Sequence, residues 1–239
     1  QDLRDLPSVS FSPRFACEWG TFGLVRATLA AAEQMLAQHP DVGHVYLASG
    51  SCLPLRPHSE LVDYLAARPQ TDFIESVTTD DVPWIVDGLA MERFTLRFPF
   101  AWRTQRRAFD AYVRIQRRLG FRRSIPSGLV PHLGSQWWCL TRRTLAAILE
   151  DPRRDEFDRY FRHVWIPDES YFQTLARRHS TTIDEVGDCC AFLCCPLSRG
   201  MTGGCLAAAW CWKAWCRRAR RQHGAVNFIA KFNRPLRSR

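Results

Sequence analysis

Short apolar runs alternate with helix-type segments along the first 185 residues of this chain. GHVYLAS (43–49), TDFIES (71–76) and LGSQWWCL (133–140) are of strand type, rich in β-branched and aromatic residues. Between them lie FGLVRATLAAAEQMLAQH (22–39), HSELVDYLAARP (58–69) and the basic segment 102–123. After them come TRRTLAAILED (141–151) and DEFDRYFRHV (155–164). Strands that alternate with helices must bury both sheet faces, which predicts a layered α/β domain. In 22–39 the apolar stripe reads Leu24, Leu29, Ala32 and Leu36. FSPRFACEW (11–19) reads as a short extended piece, and 77–100, with Pro83 and Pro99, reads as a long loop of the kind that often carries function.

The chain of 239 residues is 46% hydrophobic, with nine Trp and fifteen Phe, so it can bury a large core and is not disordered. Its net charge of +9 favours anionic partners: nucleic acid, nucleotide-sugar phosphates or an acidic membrane surface. The basic segment 102–123 reads first as a solvated face. No zinc-finger, RNP or helix-turn-helix pattern supports nucleic acid as a partner, which leaves a nucleic-acid-binding module as a minor reading. The placement of the ten cysteines argues against a disulfide framework. Cys17, Cys52 and Cys139 stand singly in apolar stretches, where Cys behaves as a small core residue, and the other seven crowd into 189–216 without a CxxC pair. A reducing, cytoplasmic setting follows, with peripheral membrane association through the basic surface as a further expectation.

The chemistry-bearing candidates are few. WIPDESYFQTL (165–175) sets Asp168 and Glu169 before a helix of large aromatics. Acids in a first helical turn are stabilised by free N–H groups and by the helix dipole. Asp168, which comes first and follows Pro167, is the better N-cap, and this frees Glu169 to point elsewhere. SGSCLPL (49–55) is a turn at a strand's carboxyl end, where ligands bind in open α/β sheets. His44, His58, His132, His163 and His179 are scattered, and there is no GxSxG elbow, GxGxxG or phosphate-binding P-loop. No Asp-x-Asp occurs.

Taken in order, ACEWGTFGLVRATLAAAEQML, HVYLASGSCLPLRP, DFIES, MERFTLRFPFAWR, LGSQWWCLTRRTLAAIL and WIPDESYFQTL resemble glycosyltransferase family 14. That family holds the core-2/I-branching β-1,6-N-acetylglucosaminyltransferases and the peptide O-xylosyltransferases. The resemblance covers about residues 10–183. It implies a GT-A-like mixed sheet flanked by helices, and an inverting transferase that takes a UDP-sugar donor and a carbohydrate acceptor with no divalent metal or other cofactor. The missing Asp-x-Asp agrees with this. UDP-N-acetylglucosamine is the leading donor and UDP-xylose the runner-up. On this resemblance Glu169 is the catalytic base, and Glu75 and Arg93 are acceptor-binding. Ser49, Gly50, Ser51, Trp19 and Lys231 are donor-binding.

Two departures go with it. The family's N-terminal βαβ unit, which builds much of the uridine pocket, is expected ahead of Gln1, which therefore reads as an internal start. On the resemblance, Ala208 stands near the place of a second basic residue, and Arg199 and Arg217 are the candidates to replace it. Residues 1–185 are thus expected to be an N-terminally incomplete catalytic domain. Residues 186–239 form a divergent, Cys-rich and basic segment that completes or extends it. A degenerate relative that binds glycan without turnover is the alternative.

Overall fold

A computed structural model describes residues 9–49, 56–81, 89–185 and 227–232. The helices are α1 (Gly23–Gln38), α2 (His58–Ala66), α3 (Glu92–Thr95), α4 (Arg106–Arg118), α5 (Arg142–Leu149), α6 (Arg154–Phe161) and α7 (Tyr171–His179). The strands are β1 (His44–Ser49), β2 (Thr71–Ile74), β3 (Trp138–Thr141), β4 (Thr182–Asp184) and β5 (Asn227–Phe232). They form one mixed sheet in the order β4-β2-β3-β1-β5. β3 runs antiparallel to β1 and β2, β5 antiparallel to β1, and β4 parallel to β2. This is the mixed sheet flanked by helices that a GT-A-like fold calls for.

Strand alternation decides the layers. Successive residues of a strand face opposite sides. Val45 and Leu47 of β1 join the main core with α1, α5 and α7, through Leu29, Leu145 and Leu175. Tyr46 and Ala48 join Phe73, Cys139 and the Leu61 and Leu65 of α2 on the other side. The α1 stripe is Val25, Thr28, Leu29, Ala32 and Leu36. Leu24 falls just off it, because a 3.6-residue period brings Val25 and not Leu24 into line with Leu29, Ala32 and Leu36.

Several sequence expectations shift. α4 spans 106–118 rather than 102–123, since Gly120 takes a left-handed φ of 64° that ends the helix. The loop 77–100 contains the one-turn α3, too short for periodicity to reveal. Residues 11–19 form no strand, and Cys17 is exposed there rather than in a core, with its thiol against Gly23 O. Cys139 is buried as expected. Asp168 is not the N-cap of α7. Pro167–Glu169 form a 3-10 turn closed by Ser170 N–H donating to Pro167 O at 3.1 Å, so the helix starts late and Ser170 is its N-cap. Gly50, Ser51, Cys52, Arg199, Ala208 and Arg217 lie outside the described residues.

The ends of the layers are tied by buried carboxylates. Asp72 of β2 accepts from Thr141 N–H at 2.7 Å, Thr144 Oγ1 at 2.6 Å and Ser180 Oγ at 2.5 Å. Asp151 accepts from Arg153 N–H, Arg178 and His179. Its burial pushes the carboxyl up, but these donors outweigh that and hold it below its ordinary value. Burial pushes the imidazoles of His44, His132 and His163 down, helped at His163 by Arg97, Arg123 and Arg162.

The sign of both effects is the same. A histidine held neutral in the fold takes up protons more readily once unfolded, so its contribution is present above its ordinary value and is lost as pH falls through it. A depressed carboxyl contributes above its own unfolded value and loses that contribution at lower pH. The thermal unfolding midpoint is therefore expected to be lower at pH 5 than at pH 7.5, with a further fall below pH ~4. A flat profile over that range would show that these groups are not held as described.

Candidate active site

Glu169 closes the 3-10 turn ahead of α7, so it sits at the positive end of that helix, where negative charge is favoured. The turn is entered through Ile166, the one described non-glycine residue with a positive φ, at 54°. A β-branched residue there is strained, and such strain persists only where neighbours hold it. Here they do: Ile166 N–H donates to Gly20 O at 3.4 Å, and its side chain packs with Trp165, Phe98 and Phe109. Pro167 also disfavours the ordinary helical alternative for Ile166.

The two acids diverge. Asp168 is buried and, with Leu24, Thr28, Leu47, Gln136 and Phe172, lines a cavity of about 10 Å³ between α1 and β1. That is room for about one water. Glu169 lies on the other side, its side chain 31% exposed, with Oε2 4.0 Å from Nη1 of Arg93. Arg93 is 6% exposed, and its guanidinium lies 5.5 Å from the Trp165 ring centre. The one-turn α3 delivers this arginine from the loop, and the aromatic shelf under it keeps the fork in place.

Glu75 arrives from the end of β2, where the ladder to β3 has already stopped at Ile74. Its Oε2 accepts from Ser135 N–H at 2.8 Å. Gly134 N–H donates to Glu169 O at 3.0 Å. On its other side, a Cβ at Gly134 would stand 2.0 Å from Glu75 O. Glycine is thus required where the Glu75 and Glu169 backbones close on the same peptide. α7 clamps the assembly: Gln173 Nε2 donates to Ser135 O at 2.5 Å, and Arg177 donates to Ser76 Oγ at 3.1 Å and to Ser76 O at 2.6 Å. Arg177 also pairs with Glu185.

The expected residues fall into two groups. Glu169 and Glu75 are brought together around Gly134 and Ser135, and Arg93 stands beside Glu169. Trp19 stands nearby on the aromatic side, edge-to-face with Trp102 at 5.8 Å and under the Arg103 guanidinium, next to the Gly20 that holds Ile166. Ser49 and Lys231 belong to the sheet. Ser49 pairs with Asn227 and Lys231 with Val45 across β1 and β5. They stand four positions apart along that pair, about 13 Å. Gly134, Ser135, Gln173 and Arg177 were not singled out from the sequence. A glycine within the strand-type run 133–140 was the available signal, since glycine there often marks a close backbone approach. Among the described residues no group of three or more His, Cys, Asp or Glu could hold a metal ion. No helix among them is long and apolar enough to cross a membrane.

Comparison with known proteins adds ancestry to this geometry. The family model for the Core-2/I-Branching enzyme matches residues 3–232. Xylosyltransferase oxt of Drosophila melanogaster is 26% identical over 176 residues, 71% of this chain and 18% of that protein. Xylosyltransferase 2 of Homo sapiens is 26% identical over 165 residues, 68% of this chain and 17% of that protein. The chain therefore spans less than a fifth of the length of these relatives. With a single family model running through β1, the Glu169 turn and β5, the chain belongs to the Core-2/I-Branching enzyme family, glycosyltransferase family 14.

Proposed function

We propose that this domain transfers a sugar from a UDP-sugar to a carbohydrate hydroxyl with inversion at the anomeric carbon, without a divalent metal, and with Glu169 as general base. The carrying observation is the geometry of Glu169: a partly exposed carboxylate at a helix N-terminus, beside a buried arginine and one peptide from Glu75. The attacking hydroxyl must lose its proton as the new bond to C1 forms, and a carboxylate within hydrogen-bond reach can take it. Positive charge gathers on the sugar ring in the transition state, which a carboxylate also favours. Inversion requires one base on the face opposite the leaving group and no protein nucleophile. Glu75 and Arg93 would hold acceptor hydroxyls, with Trp19 near them. The leaving UDP gathers negative charge, and Lys231 is the cation proposed to meet it, with Ser49, Gly50 and Ser51 beside the donor sugar. The lack of Asp-x-Asp in the chain supports a route in which fixed cations take a metal's place.

UDP-N-acetylglucosamine is the first donor to test, as the resemblance to the core-2/I-branching enzymes suggests. UDP-xylose is the second reading, favoured by the names of the relatives, which are xylosyltransferases. The test is turnover of several UDP-sugars in EDTA by the longest natural chain that contains this domain. Transfer that survives EDTA supports the reading. No turnover of any UDP-sugar, with glycan binding retained, would mean a non-catalytic family member.

Arg93→Ala supplies a separate check. Loss of a charged contact to the acceptor should raise the acceptor KM about tenfold or more, with the donor KM unchanged. An equal rise for the donor would move Arg93 to the other side of the reaction.

A further inference from the structure

α4 is the most basic helix among the described residues, and it packs directly behind the Glu169 turn. Its buried side is Phe109, Val113 and Gln116; Phe109 and Val113 cluster with Trp165 and Ile166. At 100° per residue, Arg107, Arg114 and Arg118 form a line on the opposite side. All three are exposed, and no ion pair among the described residues involves them. Next to that line stand Ile115, 52% exposed, and Leu119, 78% exposed, followed by the exposed Phe121. The acids near this helix lie on its other flank: Asp110 pairs with Arg106, and Glu92 with Arg117 and Arg122. Charge repulsion and solvation account for the arginines alone. They do not account for the two neighbouring large apolar side chains, Ile115 and Leu119, held in water beside them.

We infer that this face is a docking surface for an anionic lipid bilayer. Ile115 and Leu119 would enter the headgroup boundary, and Arg107, Arg114 and Arg118 would lie among the lipid phosphates. The two features need each other. Cations draw the helix to an anionic leaflet, and apolar tips give it something to bury there. A soluble polyanion would satisfy the arginines and leave Ile115 and Leu119 in water, so a bilayer fits the surface better. Docking would set the Glu169 turn about one helix diameter, ~10 Å, from the membrane. The inference does not depend on the transferase reading.

The test is co-sedimentation of the full chain with vesicles of phosphatidylcholine alone and of phosphatidylcholine mixed with phosphatidylglycerol. Binding is expected to the mixed vesicles, to weaken with salt, and to be at least about tenfold weaker with phosphatidylcholine alone. Ile115→Ser with Leu119→Ser should weaken it about tenfold or more. So should Arg107→Gln, Arg114→Gln and Arg118→Gln together. All five positions are exposed, and unchanged unfolding midpoints would show that the variants still fold. Three results would overturn the inference: equal binding to both vesicle types, full binding by the serine variant, or dextran sulfate bound as tightly as the mixed vesicles.

Discussion

Glu169→Gln should leave UDP binding within a few-fold of the parent and cut sugar transfer about a thousandfold. The substitution keeps the shape of the side chain and its ability to accept from Arg93. It removes only the charge and the capacity to take a proton. Because the side chain is partly exposed and ends a turn rather than filling the core, the fold should not suffer. An unfolding midpoint close to the parent's would confirm that the loss is chemical. kcat should fall with little change in either KM, the pattern for a group that acts in the transition state. If transfer stays within a few-fold of the parent, Glu169 is not the base. Asp168→Asn provides the contrast: Asp168 is buried against α1 and β1, so its change should appear as lost stability.

Gly134→Ala should cost about 3 kcal/mol or more of stability, read from the denaturant midpoint at constant slope. The new Cβ would stand 2.0 Å from Glu75 O and 2.7 Å from Glu75 C, both backbone atoms that no rotamer change can move away. The strand end must therefore shift by about 1 Å, which costs as overpacking does. That shift loosens the Gly134 bond to Glu169 O and the Ser135 bond to Glu75 together. Acceptor KM should rise in whatever fraction remains folded. Ser135→Ala is the control. It loses a hydroxyl that accepts from Trp137 N–H at 3.3 Å but keeps both backbone contacts, so its cost should stay within about 1 kcal/mol. An alanine at 134 tolerated within about 0.5 kcal/mol would mean the two backbones do not close on that peptide.

The elements and their order were legible because local periodicity is a local property. α1, α2, α5, α6 and β1 lie within a few residues of their expected bounds. The turn that carries Glu169 was legible as a helix start, but its capping was not. Asp168 after proline has the composition of an N-cap, yet a 3-10 turn intervenes and Ser170 takes that place. What imposes the turn is Ile166 in a left-handed conformation, held by Gly20 from more than a hundred residues away. No residue near 166 announces that contact.

Arg93 and Glu75 show the same limit from another direction. The resemblance marked both as acceptor-side residues, but nothing in either neighbourhood says that they meet Glu169. α3 is four residues long, and the β2 ladder ends one residue before Glu75, so neither has a periodic signature at that point. Glu75 meets Glu169 through Gly134, and Arg93 meets it over Trp165, residues far from each in the chain.

Composition, hydrophobic period and motif order were thus enough to settle the α/β class, α1, α2, α5, α6 and β1, and the ancestry of the chain. They act through interactions between residues a few positions apart. The joining of Glu169, Glu75 and Arg93, the burial of Asp168 away from Glu169, and the outward line of Arg107, Arg114 and Arg118 beside Ile115 and Leu119 came from the packed fold. Each depends on which distant backbone or helix face closes on it, and that is a matter of long-range packing rather than local preference.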